Sequence, residues 1–308
     1  MLITAEALEL RPAPLEAQAL LRRAPIAVTL ELCGVPCAVH FDDGACALLF
    51  ERRYRHMQSA RQAAHLAFAL RHGTGAPLFY APSSGAFAWP HGDLNDAAFV
   101  FLADAVAMTA FLTSLPGVIA LHAAAVGSGQ GAAAIVGDST AGKTTTAIAC
   151  ARRGMRLYSD EQCLIEQGRV VPFPRALNLR AAALRLLVDD NIGEDDPLGE
   201  RLSKRPAGDW NGIDYHELLP GWSPPPPQPL RALFLLGAAH SGPAAERVPY
   251  TAALRAALRW AKSCKRGLDR AAELAAVLQP VPCYRLKLDS PDAMARIIYA
   301  TIASGAGL

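Results

Sequence analysis

Residues 131–154 read GAAAIVGDSTAGKTTTAIACARRG, and this stretch decides how the rest of the chain is read. Within it, Gly137-Asp138-Ser139-Thr140-Ala141-Gly142-Lys143-Thr144 satisfies the pattern G-x-x-x-x-G-K-[ST] at every fixed position. Glycines let the backbone curl until successive N–H groups converge on phosphate oxygens, and a helix opening behind them adds the positive end of its dipole. The motif carries weight only between a strand and a helix. Here the apolar run AAAIV (132–136) precedes it and the helix-forming run KTTTAIACARR (143–153) follows, which is that context. The residues expected to hold an anion are therefore Gly137, Asp138, Ser139, Thr140, Ala141, Gly142, Lys143, Thr144 and Thr145. Lys143 is expected to reach the terminal phosphates of a nucleotide, and the Thr144 hydroxyl to ligate Mg²⁺.

Downstream, chain geometry predicts what meets this loop. A helix from Lys143 to Arg153 runs about 16 Å at 1.5 Å per residue, and Gly154 suits the position that ends it. Residues 155–160, extended at roughly 3.3 Å each, cover a similar distance on the way back. Asp160 and Glu161 are thus expected beside the phosphate end of the loop. Successive side chains of an extended segment face opposite ways, so one acid can hold metal while the other accepts a proton.

Upstream, VIALHAAAV (118–126) reads as a buried strand next to the loop's own strand, joined to it by GSGQG (127–131). The glycines of that link look like a loose dinucleotide fingerprint. A second strand follows where a fingerprint needs a helix, so Gly127, Gly129 and Gly131 read as turn residues. Small apolar side chains in both strands fit a sheet covered on two faces. His122 lies within the first strand, where a lone histidine is ordinarily a core residue, and only its neighbourhood makes it a candidate.

The remaining sequence divides at about Pro116. The first region, 1–116, reads as a smaller α+β domain with a substrate-binding or assembly role. IAVTLELCGVPCAVHF (26–41) alternates like a hairpin, DDG (42–44) is a turn signal, and residues 51–71 place Tyr54, Met57, Ala60, Ala64 and Phe68 at helical spacing. A short strand pair spans LFYAPSSGAFAWP (78–90), and Asn95 or Asp96 caps a following helix. Residues 97–112 are the most apolar stretch, but Asp104 interrupts them and they fall short of the roughly 20 residues a membrane span needs. In the second region, 117–308, a strand (229–237), helices (250–262 and 268–278), another strand (282–289) and a helix opened by Ser290 and Pro291 follow the prolines of 224–227.

Composition narrows the class. The chain has 308 residues, 52% of them apolar and 19% charged, which is enough for one large core or two ordinary ones. Thirty Lys and Arg against 28 Asp and Glu leave a net charge of +2 with no basic block, so no nucleic-acid partner is expected. MLITAEALEL lacks the basic start of a secretory leader. The seven cysteines show no paired metal-ligand spacing and read as small hydrophobes in a reducing, cytoplasmic setting.

With these residues in place, the chain resembles the bacterial HPr kinase/phosphorylase family and its relatives, the HPr-kinase-like serine kinases that accompany ribosomally made peptides such as lasso peptides. The likeness rests on His122 after Leu121, the loop GDSTAGKT, the helix ending in Arg153-Gly154, and Ser159-Asp160-Glu161. It covers residues 117–166. The resemblance implies an α/β fold: a catalytic domain similar to the HPr kinase C-terminal domain and to the nucleotide-binding fold of phosphoenolpyruvate carboxykinase. It implies an ATP- and Mg²⁺-dependent kinase acting on a serine of a peptide or small protein, with His122, Lys143, Asp160 and Glu161 in the active site and Thr144 and Asp160 on the metal. A homo-oligomer is expected. Three departures stand out. Thr140 replaces a usual glycine, Thr144 a serine, and Glu161 an aspartate, which leaves the proton acceptor open between Glu161 and Asp160. Where HPr kinases carry an Arg-Gly-rich signature, this chain reads PFPRALNLRAAAL, which points away from HPr as acceptor. Arg175 of that segment, with Lys204 and Arg205, resembles basic segments of the peptide-modifying relatives and is a candidate phosphate contact. A nucleotide-binding regulator and a small-molecule kinase are the alternatives.

Overall fold

In the first unit, turn chemistry sets the register. The computed structural model describes residues 9–11, 17–72, 76–82, 85–89, 93–179, 182–183, 186–187, 210–237 and 244–304, in two compact units, Met1–Pro116 and Gly117–Leu308. Strands β1 (Glu9–Arg11), β2 (Ile26–Leu32) and β3 (Val35–Phe41) open the first unit, with helix α1 (Ala17–Arg23) between the first two. Leu32 pairs with Val35 across Cys33 and Gly34, whose φ angles of 49° and 75° are both left-handed. That is the two-residue turn whose twist matches a hairpin.

Beyond the hairpin, two expectations are corrected. The DDG signal does not make a turn: Asp43 caps helix α2 (Gly44–Arg53), its carboxylate accepting from the N–H groups of Ala45 and Cys46. Turn and N-cap draw on the same side-chain chemistry, so the sequence does not separate them. The helix expected over 51–71 is absent as well. Helix α2 ends at Arg53, a 3₁₀ turn covers Arg55–Met57, and strand β4 (His65–Leu70) follows, parallel to β3. Ala60 and Ala64, on the supposed apolar stripe, are exposed. Residues 67–70 are buried without alternation, because β4 is a central strand, and an unbroken apolar run has no period to tell strand from helix. Strands β5 (Leu78–Ala81) and β6 (Gly85–Ala88) complete a six-stranded sheet in the order β1-β6-β5-β4-β3-β2. Helix α3 (Asp96–Leu112), capped by the Asn95 side chain, packs on β4, β5 and α2.

The second unit is built on a ten-stranded sheet. Its strands are β7 (Val118–Leu121), β8 (Ala123–Ser128), β9 (Gly131–Val136), β10 (Arg156–Ser159), β11 (Cys163–Glu166), β12 (Arg169–Val171), β15 (Gln228–Gly237), β16 (Ala245–Arg247), β17 (Ala261–Lys262) and β18 (Cys283–Lys287). Strands β13 (Leu177–Leu179) and β14 (Trp210–Ile213) form a separate pair. The helices are α4 (Lys143–Arg152), α5 (Tyr215–Leu218), α6 (Tyr250–Leu258), α7 (Gly267–Leu278) and α8 (Pro291–Ser304). With these, the chain is a mixed α/β protein with eight α-helices among its described residues.

Alternation along β8 and β9 explains the burial of both sheet faces. Ala124, Val126, Ala133 and Ile135 pack with Ile148 of α4 and with Met294, Ala295, Ile298 and Ile302 of α8. Their neighbours Ala123, Ala125, Ala132, Ala134 and Val136 pack instead with Ala253 and Ala257 of α6 and Leu274 and Leu278 of α7. Each large aliphatic side chain buried this way contributes about 1.5–3 kcal/mol. Two further readings are corrected here. VIALHAAAV is two strands rather than one, since His122 breaks the run and β7 pairs with β11 and β17 while β8 pairs with β9 and β10. The helix expected over 250–262 ends at Leu258, and Ala261 and Lys262 form β17. Among the described residues no helix is long and apolar enough to cross a membrane.

Candidate functional site

Strand directions bring the site together. β8 lies between β9 and β10 and is antiparallel to both, with Ala123 opposite Val136 and Ala125 opposite Ser159. The C-terminal ends of β9 and β10 therefore leave the sheet at the same edge. Gly137 follows one and Asp160 the other. Where Glu161 emerges, its carbonyl accepts from the Ala123 N–H at 3.1 Å, which puts His122 at this edge too.

The loop starts flush against the core. A Cβ on Gly137 would stand 3.0 Å from Leu236 Cβ and 3.2 Å from Ala141 Cβ, so only glycine follows β9 without displacing β15. Gly142, at φ 92°, turns the chain into α4. Thr140 also has a left-handed φ, 71°, a conformation that costs a β-branched residue on the order of 1–3 kcal/mol. Asp138, Ser139 and Thr140 are exposed, Ala141, Gly142 and Thr144 half-buried, and Thr145 buried. Lys143 is also buried, and its ammonium donates to the carbonyls of Gly137 at 2.8 Å and Asp138 at 3.0 Å. Burial lowers the Lys143 pKa, while the carboxylates of Asp138 and Asp160 oppose that shift.

The paired acids occupy different environments. At the end of β10 the Ser159 hydroxyl accepts from the N–H groups of Glu161 and Gln162, at 3.2 and 3.0 Å, and fixes the turn. Asp160 is buried at 4% exposure, within electrostatic reach of Lys143. Glu161 is more exposed and forms an ion pair with the buried Arg175. Arg175 thus lies within the site with a carboxylate partner, whereas Lys204 and Arg205 lie outside the described residues. Three cations act on His122. Burial is the larger cause, and the charges of Lys143, Lys262 and Arg175 add to it, pushing the imidazole down to about 4, so it is neutral at pH 7. The backbone N–H of His122 donates to the Trp260 carbonyl at 3.0 Å, and the imidazole lies 5.6 Å from the Trp260 ring.

Lys262, Gln162 and Tyr215 join the site without having been anticipated. Lys262 reaches His122 because β17 pairs with β7. Tyr215 follows Asp214, whose capping box with Glu217 was legible as D-x-x-E, although nothing in that signature says what the helix faces. Buried polar atoms without a hydrogen-bond partner include Gln162 Oε1 and Tyr215 Oη. No protein-family model matches the chain, and no curated protein matches it either.

Proposed function

We propose that the second unit is an ATP-dependent kinase, related to the HPr-kinase-like serine kinases and their carboxykinase-like nucleotide fold, with a peptide or small protein as acceptor. The single observation that carries this reading is the convergence of a strand–loop–helix phosphate cradle and a buried carboxylate, Asp160, at one edge of the sheet, with Lys143 between them in charge. The donor set fits Mg²⁺ and a triphosphate: a hard carboxylate, a hydroxyl at Thr144, loop N–H groups and an ammonium, with orphaned polar atoms at Gln162 and Tyr215. When bound, Mg-ATP supplies the transferable phosphoryl group and neutralises its charge.

The chain's own residues do the rest. Loop N–H groups and Lys143 bind the phosphate oxygens, and Thr144 and Asp160 hold the metal. His122, kept neutral, orients nearby oxygens without adding a fourth cation. A carboxylate accepts the proton of the acceptor serine as the serine oxygen bonds to the γ-phosphorus and the bond to the β-phosphate oxygen breaks, releasing ADP. With Asp160 on the metal, that proton falls to Glu161, whose carboxylate the Arg175 ion pair holds in the site. The same ion pair is the observation that favours a second reading, a nucleotide-binding regulator without turnover. Labelled ATP and serine-containing peptides, read by mass spectrometry for added phosphate, separate the two. Lys143→Ala is expected to abolish transfer, and normal turnover in that variant would refute the kinase reading.

A further inference from the structure

Tyr215 is fully buried, yet its hydroxyl has no hydrogen-bond partner. Leaving such a group unpaired is costly, so it persists where a partner arrives from outside the fold. Its ring is fixed. The Trp222 ring lies 4.4 Å away, itself anchored by an indole N–H donated to the Leu157 carbonyl at 3.1 Å. The Asp214 carboxylate, accepting from the His216 N–H at 2.8 Å, holds the start of α5. Ile213, two residues before Tyr215, stands opposite Leu177, two residues after Arg175. The pairing of β13 with β14 thus brings Tyr215 to the segment that carries Arg175, the partner of Glu161. The charges acting on the phenol are those of Asp160, Arg175 and Asp214. Burial holds the phenol well above its ordinary pKa, so it stays a donor. Gln162 Oε1, two residues from Asp160 in sequence, is a second orphan.

We propose that Tyr215 is a positioning residue of the nucleotide site, donating its hydroxyl hydrogen bond to an oxygen that arrives beside Asp160 with the bound metal–nucleotide. This rests on the nucleotide-site reading above. The acceptor is a metal-bound water or a phosphate oxygen, which share the chemistry of a polarised oxygen, and its arrival satisfies a hydroxyl that the protein alone leaves unpaired.

The test compares wild type with Tyr215→Phe, by calorimetric titration with ADP alone and with ADP plus MgCl₂, and by thermal melting without ligand. Loss of the orphaned hydroxyl is expected to leave the unliganded melting temperature at or above that of wild type, a result that a structural role would not give. Affinity for ADP with MgCl₂ is expected to fall about tenfold. A fall confined to the magnesium arm assigns a metal-bound water, and an equal fall in both arms assigns a phosphate oxygen. Unchanged affinity in both arms, or a lower unliganded melting temperature, overturns the proposal. A wild-type protein that binds ADP in neither arm overturns the nucleotide reading and this inference with it.

Discussion

Asp104 and Asp160, one in each unit, are both nearly inaccessible, at 1% and 4% exposure, and their surroundings differ. Asp104 sits midway along α3, where one carboxylate oxygen accepts from the Tyr54 hydroxyl and the other lies 3.3 Å from the Arg53 guanidinium. Both partners come from the end of α2 and the residue after it, so that carboxylate ties two helices together. Asp160 stands at the end of a strand, beside a glycine loop and in the field of Lys143. A buried acid in mid-helix between Arg and Tyr partners serves the fold, whereas the function proposed above gives the one at the strand end, beside the glycine loop, a part in chemistry.

Exchanging charge for amide at each position tests that contrast most directly. Asp160→Asn is expected to lower phosphate transfer by about 10²–10⁴-fold while the melting temperature stays close to wild type. Asp104→Asn is expected to do the reverse, leaving Arg53 uncompensated and costing about 3 kcal/mol in urea unfolding with transfer rates per folded molecule preserved. If both substitutions act on stability alone, the contrast is lost.

A smaller effect is expected inside the loop itself. Thr140→Gly removes a left-handed β-branched residue, and after the greater freedom of glycine in the unfolded chain is counted the gain is about 1 kcal/mol. A lower urea midpoint for this variant would mean that the threonine side chain is held by contacts worth more than its strain.

Acid provides the gentlest probe. His122 titrates near 6.5 when unfolded and at about 4 when folded, so between those values the unfolded chain binds the extra proton. The associated stability is present above pH 6.5 and is lost as pH falls towards 4, by under about 1 kcal/mol once solvent screening of a half-buried ring is counted. Urea midpoints between pH 7 and pH 4.5 should fall less in His122→Asn than in wild type. Parallel curves would show that the imidazole does not carry this dependence.

What the sequence discloses follows the range of the interactions involved. The loop, α4 and the return through β10 obey local rules, since glycine placement, helix rise and strand rise span fewer than thirty residues. β4 was missed because a strand buried on both faces carries no alternation, and Ala60 and Ala64 imitated a helical stripe from solvent-exposed positions. The break at His122 depends on β11 and β17, which reach it from far along the chain. Tyr215 and Lys262 are of that kind too: a capping box announces a helix start, and a Lys in AKSCKRG announces nothing. The sequence leaves the division of labour between Asp160 and Glu161 open, and what distinguishes the two acids in space is the ion pair of Glu161 with Arg175, whose distance from the acids in sequence hides it.

The close seat of Gly137 against Leu236 and Ala141 has a consequence for how the cradle is kept in shape. The first residue of the loop is wedged between a core strand and the loop's own far side, so the curl is not free to relax separately from the interior beneath it. Mutations that loosen the packing around β15, however remote from any ligand atom, should blunt the proposed anion capture before they unfold the protein.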